Sequence, residues 1–232
     1  MTYPVTLATL RARAQQRSAM PASSQFIATA EWNDLIQQAV CKWYDLVVGT
    51  TWGGATYWKT FNFATAANQS AYPMPGDWLH IDSVDVFVAP GTQSNQVISA
   101  RPYQSEMRNA FRFWNVTWNY AYPVFYRVQG QTLNFIPTPP GSFTVGLNYV
   151  PTAPQLVQDT DNLDSINGWD ELIVLWVAEK VFTKEENWDG VAAIRAQIQE
   201  EIARIQAAAG TRDRNAAEVV HDVTNDTDPY QY

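Results

Sequence analysis

The stretch Ala71–Val88, AYPMPGDWLHIDSVDVFV, decides how the chain is read. A tyrosine, two prolines and a Gly-Asp pair come first, and an alternating apolar run follows, the period-two pattern of a strand with one buried face. Pro73 and Pro75 fix φ and remove two backbone donors. The lead-in therefore cannot recruit a stray strand, and it delivers the chain to the sheet in one register. Tyr72, Pro73, Pro75, Asp77 and Trp78 are singled out as a strand lead-in motif. This motif lies inside the chain, within a strand-like region that helical segments flank on both sides.

Around it the pattern is period two. TYWKTFNF, NQVISA, VFYRVQ, QTLNFIP and SFTVGLNYV are rich in Val, Ile, Thr, Tyr and Phe and are separated by Gly, Pro and Asn. Short strands at this spacing, with no long helix between them, predict a mostly antiparallel sandwich or small barrel. Gly130 is a hairpin-turn candidate, because strand-like runs flank it closely. YQSEMRNAFRFW is expected to make a helical turn or two, and TWGGATYW a mobile loop or hairpin tip.

Farther out the period becomes helical. Before the sheet, Trp32, Leu35, Ile36, Ala39, Val40, Trp43 and Val47 recur at helical spacing, with Gly49 as the stop. Ahead of them TLATLRARAQQRS reads as a short helix. After the sheet, GWDELIVLWVAEKVF is apolar on almost every side, so it is expected to be the most buried helix, with Asn167 as its N-cap. Val191, Ile194, Ile198, Ile202 and Ile205 form the stripe of a last helix ended by Gly210.

A single amphipathic pair at each end cannot bury its own stripe, so the terminal helices are expected to pack together. The predicted fold is α+β: a helical bundle from residues 1–49 and 159–210, an inserted antiparallel β-sandwich or barrel-like domain at 50–158, and an acidic, flexible arm at 211–232.

Composition bounds the function. Of 232 residues, 46% are hydrophobic and 16% charged, which indicates a folded chain. Ten Trp, 11 Tyr and 10 Phe exceed the needs of one core, so part of the aromatic load is expected at contacts. The net charge of −8, with basic clustering only at Arg11, Arg13 and Arg17, argues against a tight phosphate-backbone binder. The start of the chain lacks an apolar targeting block and no segment has spanning length, so a soluble, unexported protein is expected.

Catalytic signatures are missing from the sequence. His80 and His221 lie in a strand pattern and in the tail, and no nucleophile-elbow, zinc-helix or phosphate-loop spacing occurs. Cys41, the single cysteine, is read as a small buried hydrophobe on a helix. The run Asp159, Asp161, Asp164 could suit a hard cation but lacks the glycine and terminal glutamate of a calcium loop, so it is read as a solvated loop ending in a helix cap. No cofactor, metal or catalytic residue is assigned. Trp52, Trp58, Trp114 and Trp118 are candidates for contacts or for platforms under sugar rings.

The order of these features resembles the head-to-tail adaptor proteins of tailed bacteriophages. The likeness is carried by FIATAEWNDLIQQAVCKWYDLVV, by the lead-in Tyr72-Pro73-Met74-Pro75-Gly76-Asp77-Trp78, and by the hairpin positions Pro123, Tyr126, Gly130, Leu133, Pro137 and Pro139. The strand exit Tyr149-Val150-Pro151 and the helix opened by GWDELIVLWVAEKVF complete it. It covers Leu7 to Ala208.

The resemblance implies a non-enzymatic virion protein, made in the host cytoplasm and located in the neck. It would form a ring, usually of twelve copies, under the portal, contact tail nozzle or tail tube proteins, and surround the DNA channel without specific DNA or membrane binding. Contact candidates are Trp52 and Trp58 in the aromatic loop and Arg212, Arg214, Val219, Val220, Tyr230 and Tyr232 in the arm. The alternative is an aromatic-rich carbohydrate-binding module of a tail fibre, with a glycoside hydrolase third.

Overall fold

The computed structural model describes residues 2–20, 26–50, 57–87, 97–104 and 124–211. Its elements run β1 (Thr2–Thr6), α1 (Leu7–Arg17), α2 (Thr29–Val48), β2 (Lys59–Ala64), β3 (Ala71–Pro73), β4 (Trp78–Phe87), β5 (Val97–Pro102), β6 (Phe125–Gln129), β7 (Thr132–Ile136), β8 (Thr144–Pro151), β9 (Asn162–Ile166), α3 (Glu171–Lys184) and α4 (Trp188–Thr211). The fold is mixed α+β, with four helices and a seven-stranded sheet among the described residues.

The sheet order is β2-β8-β4-β5-β6-β7-β3. The inner residues Val84, Val86, Leu133, Phe135, Val145 and Leu147 are buried in one cluster. The sheet is strongly curled: the ring of Phe63 on β2 lies 5.3 Å from that of Tyr72 on β3 and 6.4 Å from that of Phe135 on β7, so inward side chains from its two end strands meet although those strands are not paired. The sheet is mostly antiparallel and curls as a barrel does, in keeping with that part of the expectation, and two features depart from an antiparallel sandwich. There is one curled sheet in place of two facing layers, and β5 and β6 pair in parallel, Arg101 opposite Phe125. The connection between them is about twenty residues long, enough for the crossover that parallel neighbours require. Of the segment read as a helical turn, Tyr103–Trp114, all but Tyr103 and Gln104 lies outside the described residues; of the loop read at 51–58, residues 51–56 lie outside them.

Gly130 forms the β6–β7 hairpin at φ +60, a backbone region that glycine enters without a Cβ penalty.

All four helices contribute to a second core, with Leu7, Leu10, Trp32, Ile36, Trp43 and Leu172 among its buried residues. α3 buries Leu172, Ile173, Val174, Leu175, Val177, Ala178 and Val181, residues on every side of the helix. α4 turns Val191, Ile194, Ile198 and Ile205 inward. Thr6 caps α1, its Oγ1 accepting the Thr9 N–H at 3.1 Å. Gly49 ends α2 in a right-handed conformation, φ −69, so its freedom to adopt the left-handed one is not used.

Three local expectations are overturned. First, Thr2–Thr6 and Asn162–Ile166 form an antiparallel ribbon, β1 with β9, where a helix start and a solvated loop were expected. The partners are separated by most of the chain, and such a pairing leaves no local periodicity. Second, Asn167 is not the N-cap. Asn167 and Gly168 turn the chain at φ 50 and φ 75, and Asp170 occupies the cap position. Third, Cys41 is exposed, with Gln37 Nε2 at 3.7 Å, because positions 37 and 41 share the polar stripe of α2.

Candidate interaction surface around the strand lead-in

The lead-in is held by side chains from remote parts of the chain. Tyr72 is buried, and its hydroxyl accepts the Ala66 N–H at 2.9 Å and donates to the Gln69 carbonyl at 2.8 Å, closing the turn before β3. Met74 N donates to the Gln131 carbonyl at 3.0 Å, and Trp78 Nε1 to Gln131 Oε1 at 2.7 Å. The residue after the hairpin glycine thus grips the lead-in at both ends. Pro75 sits between them, its carbonyl accepting the Trp78 N–H at 3.4 Å.

Asp77 bridges β2 and β8. Its Oδ2 lies 2.9 Å from Lys59 Nζ, its Oδ1 accepts the Tyr149 hydroxyl at 3.0 Å, and its carbonyl accepts the Thr152 N–H. The Lys59 hydrogen bond holds the Asp77 carboxyl below its usual range. Burial, aided by the Asp77 bond, pushes the Tyr149 hydroxyl up. Burial also pushes Tyr44 up to about 12. A carboxyl whose folded pKa is depressed stabilises the fold above its unfolded pKa of about 4, and that contribution is lost as pH falls through the folded value. Thermal melts of the wild type against Asp77→Asn should therefore differ at neutral pH by no more than about 1 kcal/mol, as suits a half-exposed pair, and converge in acid. Parallel curves across that range would show that Asp77 carries no such contribution.

Pro73 lies on the outer edge of β3. The Phe135 N–H donates to the Ser70 carbonyl and the Met74 N–H to the Gln131 carbonyl, so residues 70, 72 and 74 face β7 while Ala71 and Pro73 face away. Pro73 has no N–H to offer, and Gln69 Nε2 caps the outward carbonyl of Ala71 at 2.9 Å. Restoring donors with Pro73→Ala plus Pro75→Ala is expected to increase aggregation of the isolated protein, read by light scattering on concentration. Unchanged solubility and folding would remove that role.

Trp58, just before β2, is 49% exposed, and Phe61 within β2 is 37% exposed. Phe61 was not among the expected contacts, nor were Lys59, Tyr149 and Gln131, which meet the motif only through strand pairing. Trp52, Trp114, Trp118, Arg212, Arg214, Val219, Val220, Tyr230 and Tyr232 lie outside the described residues. On the outer face of the sheet a polar row crosses four strands: Thr60 donates to Asn148, Asn148 to Ser83 and Asp85, and Ser99 to Asp85.

The sheet joins the helical core through aromatic contacts. Tyr57 packs edge-on to Trp43 at 6.5 Å and against Tyr44 at 5.1 Å, and its hydroxyl donates to the Asp164 carbonyl on β9 at 2.9 Å. Tyr44 donates to the Pro151 carbonyl at 2.8 Å. Gln37 holds the strand exit, accepting the Leu156 N–H at 2.9 Å and donating to the Pro154 carbonyl at 3.1 Å.

The acidic run serves the backbone and α1. Asp161 Oδ2 accepts the Val157 and Gln158 N–H groups, both at 2.7 Å, and these bonds depress its pKa, while Asp159 pairs with Arg11. Among the described residues no group of three or more His, Cys, Asp or Glu could hold a metal ion, and no helix is long and apolar enough to cross a membrane.

No curated protein matches the chain significantly. The SU10 adaptor protein family matches it across residues 5–221, a span that contains α1 to α4, the whole curled sheet and the lead-in motif. The chain therefore belongs to the SU10 adaptor protein family and is a phage head-to-tail adaptor.

Proposed function

We propose that the protein is a non-enzymatic component of the virion neck that forms a ring, of twelve copies, under the portal, joins capsid to tail and lines the DNA channel. The observation that carries this reading is the family match running without interruption through both helical parts and the sheet between them. The proposed partners are the portal, tail nozzle or tail tube proteins, and neighbouring copies of the chain.

In this reading the terminal helices, 1–49 and 159–210, act as one bundle packed side by side around the ring, and the sheet of 50–158 is an insertion in it. Trp58 is the contact candidate supported by its exposure. The remaining proposed contacts are Trp52 and, in the arm from 211, Arg212, Arg214, Val219, Val220, Tyr230 and Tyr232. The net charge of −8 suits DNA as cargo, since an acidic wall repels phosphates and lets a genome slide.

The test is the native mass of the 26.2 kDa protein alone and mixed with the portal of its own source. A discrete gain of many copies on the portal is expected. A free monomer with no gain would overturn the reading and direct attention to a glycan screen.

A further inference from the structure

The chain protects its sheet edges unequally. On the outer edge of β3, Pro73 lacks a donor and the Ala71 carbonyl is capped by Gln69. β1 shows the same device. The Leu7 N–H donates to the Asp161 carbonyl in register with the β1–β9 pairing, so Pro4 faces outward and its missing N–H falls on the open side. The outward Asp164 carbonyl of β9 accepts the Tyr57 hydroxyl. β2 has no such device. The Thr65 N–H donates to the Phe143 carbonyl in register with β8, so the backbone of Lys59, Phe61 and Phe63 faces β8 while that of Thr60, Asn62 and Ala64 faces away, donors intact and no strand paired with them among the described residues. Two exposed aromatic side chains lie along this strand, Phe61 within it and Trp58 just before it.

We propose that the outer edge of β2 accepts an added strand, and that the segment Glu218–Thr224 of this chain, EVVHDVT, supplies it. The choice of occupant follows from the other edges. Neither β1 nor β3 can supply a full ladder through its proline, and a β2-to-β2 pairing would close a dimer and stop. Beyond Thr211 the sequence continues to Tyr232, and Glu218–Thr224 is its densest run of β-branched residues, with Val219, Val220, Val223 and Thr224 and no proline before Pro229. Strand addition takes its affinity from main-chain hydrogen bonds and its selectivity from alternate side chains, here valines against Trp58 and Phe61. The inference rests on edge chemistry and stands apart from portal binding.

The experiment uses the full chain with Cys41→Ser, Thr60→Cys, and one further cysteine placed in turn at Val219, Val220, His221 and Asp222. Mild oxidation is expected to give at least about 10-fold more disulfide for the best position than for a control with Thr183→Cys in place of Thr60→Cys. Asn62→Pro, which removes an outward donor and leaves the β8 ladder whole, is expected to return the yield to the control level with an unchanged melting temperature. Asn62→Lys, a charge on the edge, serves if the proline variant misfolds. A disulfide within one chain or between two chains supports the proposal and tells which copy donates the strand. Yields no better than control at every position, or yields untouched by both Asn62 variants, overturn it, whatever the portal experiment shows.

Discussion

Trp43→Ala is expected to destabilise the protein by about 3–5 kcal/mol, the range for deleting a large aromatic from a packed core. Trp43 is fully buried on α2, beside Ile36, Ala39, Val40 and Val47, which α2 buries with it, and against the edge of Tyr57. Its loss opens a cavity where the helical core meets the lead to β2, and it frees Tyr57, whose hydroxyl anchors Asp164. Because the Trp43 indole nitrogen has no hydrogen-bond partner among the described residues, Trp43→Phe should cost far less, about 1–2 kcal/mol, from volume alone. Chemical denaturation of both variants checks this. Equal losses would mean that the indole N–H, and not packed volume, carries the effect.

Arg13→Met is expected to cost about 2–4 kcal/mol. Asp170 has a side chain only 4% exposed, and it is held by Arg13 and by the Ser165 hydroxyl at 2.5 Å. Removing the guanidinium leaves a buried carboxylate uncompensated, the situation that makes breaking such a pair expensive. The figure lies toward the low end because Arg13 itself is 36% exposed and the N-terminus of α3 offers the carboxylate some relief. Arg13 also reaches Glu171 at 2.8 Å, and Arg17 pairs with Glu171. A double-mutant cycle with Asp170→Asn, read by denaturant midpoint, should show coupling of about 2 kcal/mol. Coupling below about 0.5 kcal/mol would reduce the pair to a surface contact.

These residues show how far the sequence could be read. Arg11, Arg13 and Arg17 stood out as the one basic cluster. Their targets, Asp159, Asp170 and Glu171, lie about 150 residues away and were read separately as a solvated loop and a helix start. Asp77 and Trp78 were legible as a motif. That Lys59, Tyr149 and Gln131 hold them was not, although Tyr149 stands in the strand-exit motif, because register between strands distant in sequence leaves no periodic trace. Cys41 was misassigned for a smaller reason: apolar neighbours in sequence, Val40 and Trp43, point to a different side of α2.

By itself the sequence determined what local periodicity and backbone chemistry encode: the helical segments, most of the strands, the Gly130 turn, the two donor-less prolines of the lead-in and the motif order that marks the family. Only the tertiary structure decided the curl of one sheet in place of a sandwich, the parallel β5–β6 pair, the β1–β9 ribbon and the clamp between α1 and α3. It also decided which backbone groups face outward, and hence that Pro4 and Pro73 remove donors at two edges while β2 keeps its own, with no strand paired to its outer edge among the described residues. Periodicity reports the environment of a segment, whereas pairing and register depend on contacts between segments that only the folded chain brings together.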